Sequence, residues 1–245
     1  MGDEQGNDYV KALQANSEET KKYYAKSIVK TEQQKFLETL LLDSGKIFKD
    51  IADIACGGGT LSFHLRSIYP NARFMLSDFN EDGLKLAQEL NGPSCTYIQA
   101  NIYNLKHIPD NKYDLVCCWQ TLSWLDEPEK ALQELIRITK PGGKIYASSL
   151  FNLHHNVDIF AKLLDHSQSN ESVGLGFSYN TYSSKTVSKW LTNKVNKFKL
   201  HEFIPEIDFT FEGTGIGTFT VNSEKGRLQI SAGYLMNWSI LEIEK

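Results

Sequence analysis

The chain has 245 residues, 41% of them apolar, with a formal charge of −4 from 26 lysines and arginines against 30 aspartates and glutamates. That length suits one α/β domain with room for a small subdomain. The charge balance excludes the basic field of a nucleic-acid binder and a dense acidic tail. No apolar run exceeds strand length, so no membrane contact through a spanning helix is expected.

Taken in order, Met1–Asp8 is acidic and polar, the opposite of a secretory signal. Ser17–Thr20 can start a helix that puts Tyr23, Tyr24 and Ile28 on one side, and a second helical run covers about Thr31–Leu42. Strand 1 is expected at Lys49–Ile54, followed by Gly57, Gly58 and Gly59 and a helix to about Ser67. Strand 2, Arg73–Ser77, stops at Asp78. A helix over Asp82–Leu90, strand 3 at Thr96–Gln99, strand 4 at Tyr113–Trp119, a helix from Pro128 to about Thr139 and strand 5 at Lys144–Ser148 complete a regular alternation. Such alternation implies a parallel sheet with right-handed crossovers. Beyond it the pattern predicts a helix from Asn152 to about His166, a polar loop at Gln168–Gly176 and a helix after Ser183. Strands are expected at Lys199–Ile204, Thr218–Val221, Leu228–Ser231 and Trp238–Ile243.

Of the four cysteines, Cys117 and Cys118 are adjacent in strand 4, where neighbours face opposite ways. There is no C-x-x-C and no histidine at ligand spacing from Cys56 or Cys95. Ordinary thiols, no metal and a reducing, cytoplasmic setting are expected.

The glycine turn carries the functional reading. A strand that runs into bare backbone and then a helix N-terminus makes a nucleotide-type binding edge. Ligands in such sheets sit outside the carboxyl ends of the strands, where Gly57–Gly59, Asp78, Asn101, Trp119 and Gln120 all fall. A dinucleotide turn asks for glycine at the third position of G-x-G-x-x-G, which here is Ser62. Asp53, four residues before Gly57, would face a pyrophosphate but suits an ammonium or sulfonium group.

Over about residues 47–150 the chain resembles the class I S-adenosylmethionine-dependent methyltransferases. Asp53-Ile54-Ala55-Cys56-Gly57-Gly58-Gly59 is similar to the first family motif, Asp78 to the acid that ends strand 2, and Asn101 to the residue after strand 3, where aspartate is commoner. Tyr113–Val116 and Arg137–Gly143 resemble strand 4 and the R-x-x-K-P-G-G turn. The resemblance implies a Rossmann-like, doubly wound α/β sheet of seven strands, mostly parallel, with an antiparallel last strand at Trp238–Ile243. It implies one domain over 1–245: a helical lid at 1–45, the cofactor core at 47–150, and substrate-facing insertions with the last strands at 151–235.

It also implies S-adenosylmethionine as cofactor, lined by Ala55, Gly57 and Gly59. Asp78 would take the ribose hydroxyls and Asp53 the methionine amino group. Phe79, Asn101 and Ile102 would surround adenine, Cys118 and Trp119 would border the methionyl group, and Tyr24 would close over it. His154 and His155, after strand 5, are the base candidates should the nucleophile be a hydroxyl. Structural roles stand beside these: Asp53 on local amides, Asp78 as a helix cap, Asn101 in a turn, and the two histidines solvated.

The acceptor is expected to be a small molecule methylated on oxygen or nitrogen, such as a sugar, a nucleotide-linked intermediate or a natural-product precursor. The chain lacks an N-P-P-Y-type tetrapeptide after strand 4, and Trp119-Gln120-Thr121-Leu122 stands there instead. No nucleic acid is expected as a partner, and the protein is expected to be a monomer or homodimer. An NAD(P)-dependent oxidoreductase and an inactive S-adenosylmethionine-binding protein remain as alternatives.

Overall fold

A computed structural model describes residues 28–163, 177–205, 218–224, 226–231, 234–235 and 238–245. The expected first helix with Tyr23 and Tyr24, and the polar loop at 168–176, lie outside these residues.

The described chain opens on helix α1, Glu32–Asp43. Its start is a reciprocal cap: the Thr31 hydroxyl accepts from the Gln34 amide and the Gln34 side chain accepts from the Thr31 amide, satisfying two otherwise orphaned donors. Strand β1 (Asp50–Ile54), helix α2 (Thr60–Ile68), strand β2 (Arg73–Asp78), helix α3 (Glu81–Asn91) and strand β3 (Thr96–Gln99) follow. Then come β4 (Tyr113–Cys118), a short 3-10 turn at Leu122–Trp124, α4 (Pro128–Ile138) and the long β5 (Thr139–Asn152). Two-residue strands β6 (Lys162–Leu163), β7 (Phe177–Ser178) and β8 (Tyr182–Ser183) precede α5 (Ser184–Leu191) and β9 (Lys197–Glu202). The last strands are β10 (Thr218–Ser223), β11 (Gly226–Ser231), β12 (Tyr234–Leu235) and β13 (Trp238–Glu244).

The main sheet runs β3-β2-β1-β4-β5-β13-β9, with short β8 added beside β5. Strands β3, β2, β1, β4 and β5 pair in parallel. Strand β13 is antiparallel to both β5 and β9. This bears out the expected doubly wound α/β sheet and its antiparallel last strand. The chain leaves β1 toward β2 on one side and returns to β4 on the other, so a crevice opens where the carboxyl ends of β1 and β4 diverge.

Both faces of the sheet are covered, which is why all five residues of β1 are buried and why its strands read as nearly continuous apolar runs. One core layer packs Ile54, Val116 and Cys118 with Leu132 and Leu135 of α4 and Val187 and Leu191 of α5. The other packs Ile51, Leu115 and Cys117 with Leu37 and Leu41 of α1 and Leu61 and Leu65 of α2. Cys117 and Cys118 therefore fall on opposite faces, and all four cysteines are free thiols.

The R-x-x-K-P-G-G turn works at the end away from the crevice. Lys140 lies 3.0 Å from Asp50 and 2.8 Å from Asp114. The Asp114 carboxylate also accepts the Lys49 and Asp50 amides, which ties the amino ends of β1 and β4 together. Arg137 donates to the carbonyls of Leu105 and Ile108 and pairs with Glu134 and Asp110, holding the long connection between β3 and β4 against α4.

One expectation is corrected. Residues 152–163 are not helical but form a turn, a single bridge from Ile159 to Thr181 and strand β6. The Asn152 side chain is the cause. Its carbonyl accepts the His155 amide and its amide donates to the Val157 carbonyl, so it takes over backbone partners a helix would need. Val157 and Phe160, which would line the apolar face of such a helix, are open to solvent, Phe160 by 71%.

Candidate functional site

The turn after β1 is built from left-handed backbone. Ala55, Gly57 and Gly59 have φ of 57°, 52° and 75°, a conformation that costs an L-residue with a side chain about 1–2 kcal/mol. The Cys56 amide donates to Ser77 and the Gly59 amide to Cys56, each across about 3 Å, which folds the turn against the end of β2. Gly59 is glycine for a second reason. A Cβ there would stand 2.6 Å from Asn91 Nδ2 and 2.8 Å from Ala87 Cβ, so α3 packs directly on this backbone.

Two carboxylates flank the turn. Asp53 is fully enclosed. Its Oδ2 accepts the Ser62 hydroxyl at 2.7 Å, whereas among the described residues Oδ1 has no partner. Burial pushes this carboxyl up to about 7, the Ser62 hydrogen bonds oppose the rise, and the Asp78 charge adds to it. Asp78 retains 9% exposure. Its Oδ2 accepts the Gly57 amide at 2.7 Å and its Oδ1 the Asn80 amide at 2.8 Å. Burial raises its pKa as well, against those backbone donors. Capping of α3 falls to Asn80, whose side chain accepts from Gly83. Among the described residues neither carboxylate has an ion-pair partner.

Around the rest of the rim, Phe79 is half-buried and its carbonyl accepts from Gln99. The Asn101 side chain accepts the Tyr103 amide at 3.0 Å, a tight local turn that leaves its amide nitrogen for another acceptor. Ile102 packs into the core layer shared with α4. Cys118 is fully buried, and burial pushes its thiol up to about 12, so at neutral pH it is an uncharged wall. Trp119 is half-buried on the opposite layer. Tyr24 lies outside the described residues. His154 and His155 sit on the exposed turn after β5, the His154 ring 3.3 Å from Glu202 and the His155 amide bound to Asn152.

The sequence places Gln120 at this rim, but its partner Gln33 and a second polar group at this end of the sheet escape a sequence reading. Gln120, left-handed at φ 54°, donates its amide N–H to Ser148 and its side-chain amide to Gln33 of α1. The Gln33 nitrogen is itself buried without a partner. Between the 3-10 turn and β5, Ser123 and Ser149 share a hydroxyl hydrogen bond of 2.6 Å. Asn180 and Tyr182 bond each other and the Leu125 carbonyl, and Tyr179 stacks at 4.4 Å from Trp124. Gln33 and Gln120 are too far apart in the chain for spacing to pair them.

The residues fit a cationic nucleoside. Two enclosed carboxylates without countercharge favour a ligand that brings positive charge. Asp53 Oδ1 is a buried acceptor that lacks a donor, and such groups are normally satisfied. A dinucleotide pyrophosphate would instead meet like charge.

Residues 52–147 match a family model described as a methyltransferase domain. With the sheet order and the glycine turn, this defines the class of that core: residues 52–147 form a Rossmann-like methyltransferase domain, whose cofactor is S-adenosylmethionine. Among particular proteins, the chain is 32% identical over 117 residues to an uncharacterized methyltransferase of Schizosaccharomyces pombe, covering 44% of this chain and 42% of that one. It is 28% identical over 109 residues to the ubiquinone biosynthesis O-methyltransferase of Proteus mirabilis, covering 43% and 44%. The chain thus spans less than half the length of these curated relatives. Among solved structures, the SAH complex of DhpI matches with a TM-score of 0.62 at 13% identity, over 100% of this chain and 98% of that one, which speaks for the fold. No helix among the described residues is long and apolar enough to cross a membrane.

Proposed function

We propose that the protein transfers the sulfonium methyl group of S-adenosylmethionine to an oxygen or nitrogen of a small-molecule acceptor. The observation that carries this reading is the pair of enclosed, unpaired carboxylates, Asp53 and Asp78, on a left-handed glycine turn at the switch point of the sheet. When bound, the cofactor supplies an activated methyl group on a positively charged sulfur. The chain's part is to bind, orient and shield. Asp78 accepts from the ribose hydroxyls, Asp53 receives the α-ammonium, and Gly57 and Gly59 let the ligand approach. Phe79, Asn101 and Ile102 hold the adenine, and Cys118 and Trp119 wall the methionyl arm. Much of the rate in such a displacement comes from holding the acceptor in line.

The flanking segments, 1–45 and 151–235, are assigned to the acceptor. Gln33 and Gln120 place neutral amides at the carboxyl end of β4, which suits a polar, uncharged group better than an anion. The acidic chain and the O-methyltransferase name of the Proteus mirabilis relative favour a hydroxylated metabolite. His154 and His155 are the base candidates in that case, with Glu202 positioned to hold the ring of His154.

The test is incubation with methyl-labelled S-adenosylmethionine and a panel of hydroxylated and aminated metabolites, read by label transfer and by mass. Transfer to one acceptor class supports the proposal. Binding of S-adenosylhomocysteine without transfer to any acceptor supports a binding protein instead, and stabilisation by NAD but not by S-adenosylhomocysteine would restore the oxidoreductase reading.

A further inference from the structure

Ser62 stands where a dinucleotide fold would keep glycine, and it is fully buried. Among the described residues its hydroxyl has one partner, Oδ2 of Asp53 at 2.7 Å. The second oxygen of the same carboxylate has none. A fully enclosed carboxylate whose donors both come from Ser62, with Oδ1 left open, is held in a single orientation but left half satisfied, and an acid in that state resists ionisation until a cation or further donors arrive. Among the described residues, the groups that face Asp53 from the surrounding elements supply no cation. Cys56 on the turn and Cys117 and Cys118 on β4 are thiols that burial holds neutral. Asp78 at the end of β2 is another acid.

We propose that Ser62 is a positioning residue that presents Asp53 to the α-ammonium of the cofactor, and that arrival of the ammonium drives the Asp53 proton off the carboxyl and into solvent. The balance is simple. A protonated carboxyl and an ammonium become a carboxylate–ammonium pair plus one released proton, with no other bond made or broken. This proposal rests on the S-adenosylmethionine reading and adds a proton-coupled element to it. The unliganded carboxyl titrates near neutrality because burial outweighs the Ser62 hydrogen bonds, so the coupling falls within the working range of pH.

The experiment is calorimetry of S-adenosylhomocysteine binding at about pH 6, 7 and 8, in two buffers of different ionisation enthalpy. A parallel series uses 5′-methylthioadenosine, which keeps the adenosine and its ribose but has no ammonium. For the unaltered protein, S-adenosylhomocysteine should release close to one proton per site at the acid end. Its affinity should fall toward tenfold per pH unit below the Asp53 titration, whereas 5′-methylthioadenosine should show neither effect. S62A removes a donor that favours the charged carboxyl. Its midpoint should therefore move to higher pH, with a deficit that is large at about pH 6 and closes toward about pH 8. D53N should bind with a flat profile and no proton release.

Equal proton release with both ligands would assign the proton to Asp78 at the ribose and overturn the proposal. A uniform loss for S62A at every pH would reduce Ser62 to packing and overturn it as well. Binding of S-adenosylhomocysteine without proton release at any pH overturns it while leaving the cofactor standing, and absence of binding at all pH values would instead overturn the cofactor assignment. Because S62A removes only one oxygen atom, that arm stays informative even if D53N fails to fold.

Discussion

Replacing Gly59 with alanine separates two reasons for a glycine that are usually confounded. The backbone there is left-handed at φ 75°, and an added Cβ would meet Asn91 Nδ2 at 2.6 Å, Ala87 Cβ at 2.8 Å and Ala87 Cα at 3.0 Å. The left-handed conformation alone costs about 1–2 kcal/mol. Relief of the contact would displace the Asn91 amide, which donates to the carbonyls of Gly59 and Ala87. It would also push against helix backbone, which moves only with α3 as a whole. Overpacking of this kind costs about 1–3 kcal/mol, so G59A should lose about 2–5 kcal/mol in all.

Gly45 provides the matched control. Its φ is 62°, and nothing lies within 4 Å of a Cβ built on it, so G45A should lose only the conformational part, about 1–2 kcal/mol. The assay is urea unfolding of both variants beside the unaltered protein, comparing midpoints at equal slope. Equal losses for G59A and G45A would refute the argument that α3 packs on this turn.

Three further outcomes are expected. D78A should weaken S-adenosylhomocysteine binding by about 1–3 kcal/mol, the range for stranding hydrogen-bonded groups, and unchanged affinity by calorimetry would remove Asp78 from the ribose. H154A or H155A should lower turnover more than cofactor affinity, and full activity in both would exclude them as bases. Glu242 is held down to about 2 by the His201 hydrogen bond first and then by Lys144. A depressed carboxylate stabilises the fold above its unfolded pKa and loses that contribution as pH falls through the folded value. Acid unfolding followed from about pH 5 to about pH 2 should therefore be less steep in E242Q than in the unaltered protein; superimposable slopes would show that this cluster contributes nothing.

Much of the core was legible because its signals are local. The Cys117–Cys118 split follows from strand alternation, and the parallel pairing of β1 to β5 follows from the regular strand–helix alternation. Asp53 and Asp78 were found from their distance to three glycines. What escaped depends on side chains competing with backbone, or on contacts between distant segments. Asn152 looked like a helix start, yet its two side-chain hydrogen bonds build a turn. Gln33 reads as one polar residue of an amphipathic helix, and only folding brings it to Gln120. Ser62 reads as a missing glycine, when its hydroxyl is the one side-chain partner of a buried acid among the described residues.

The separation between the Lys140 clamp and the glycine crevice has a consequence for how such a chain can change over generations. Lys140, Asp50 and Asp114 secure the amino ends of the strands, and the described residues assigned to the cofactor sit at the other ends. Substitutions that retune the acceptor rim thus leave the anchorage of the sheet untouched, and its loops are free to explore new substrates on an unaltered chassis.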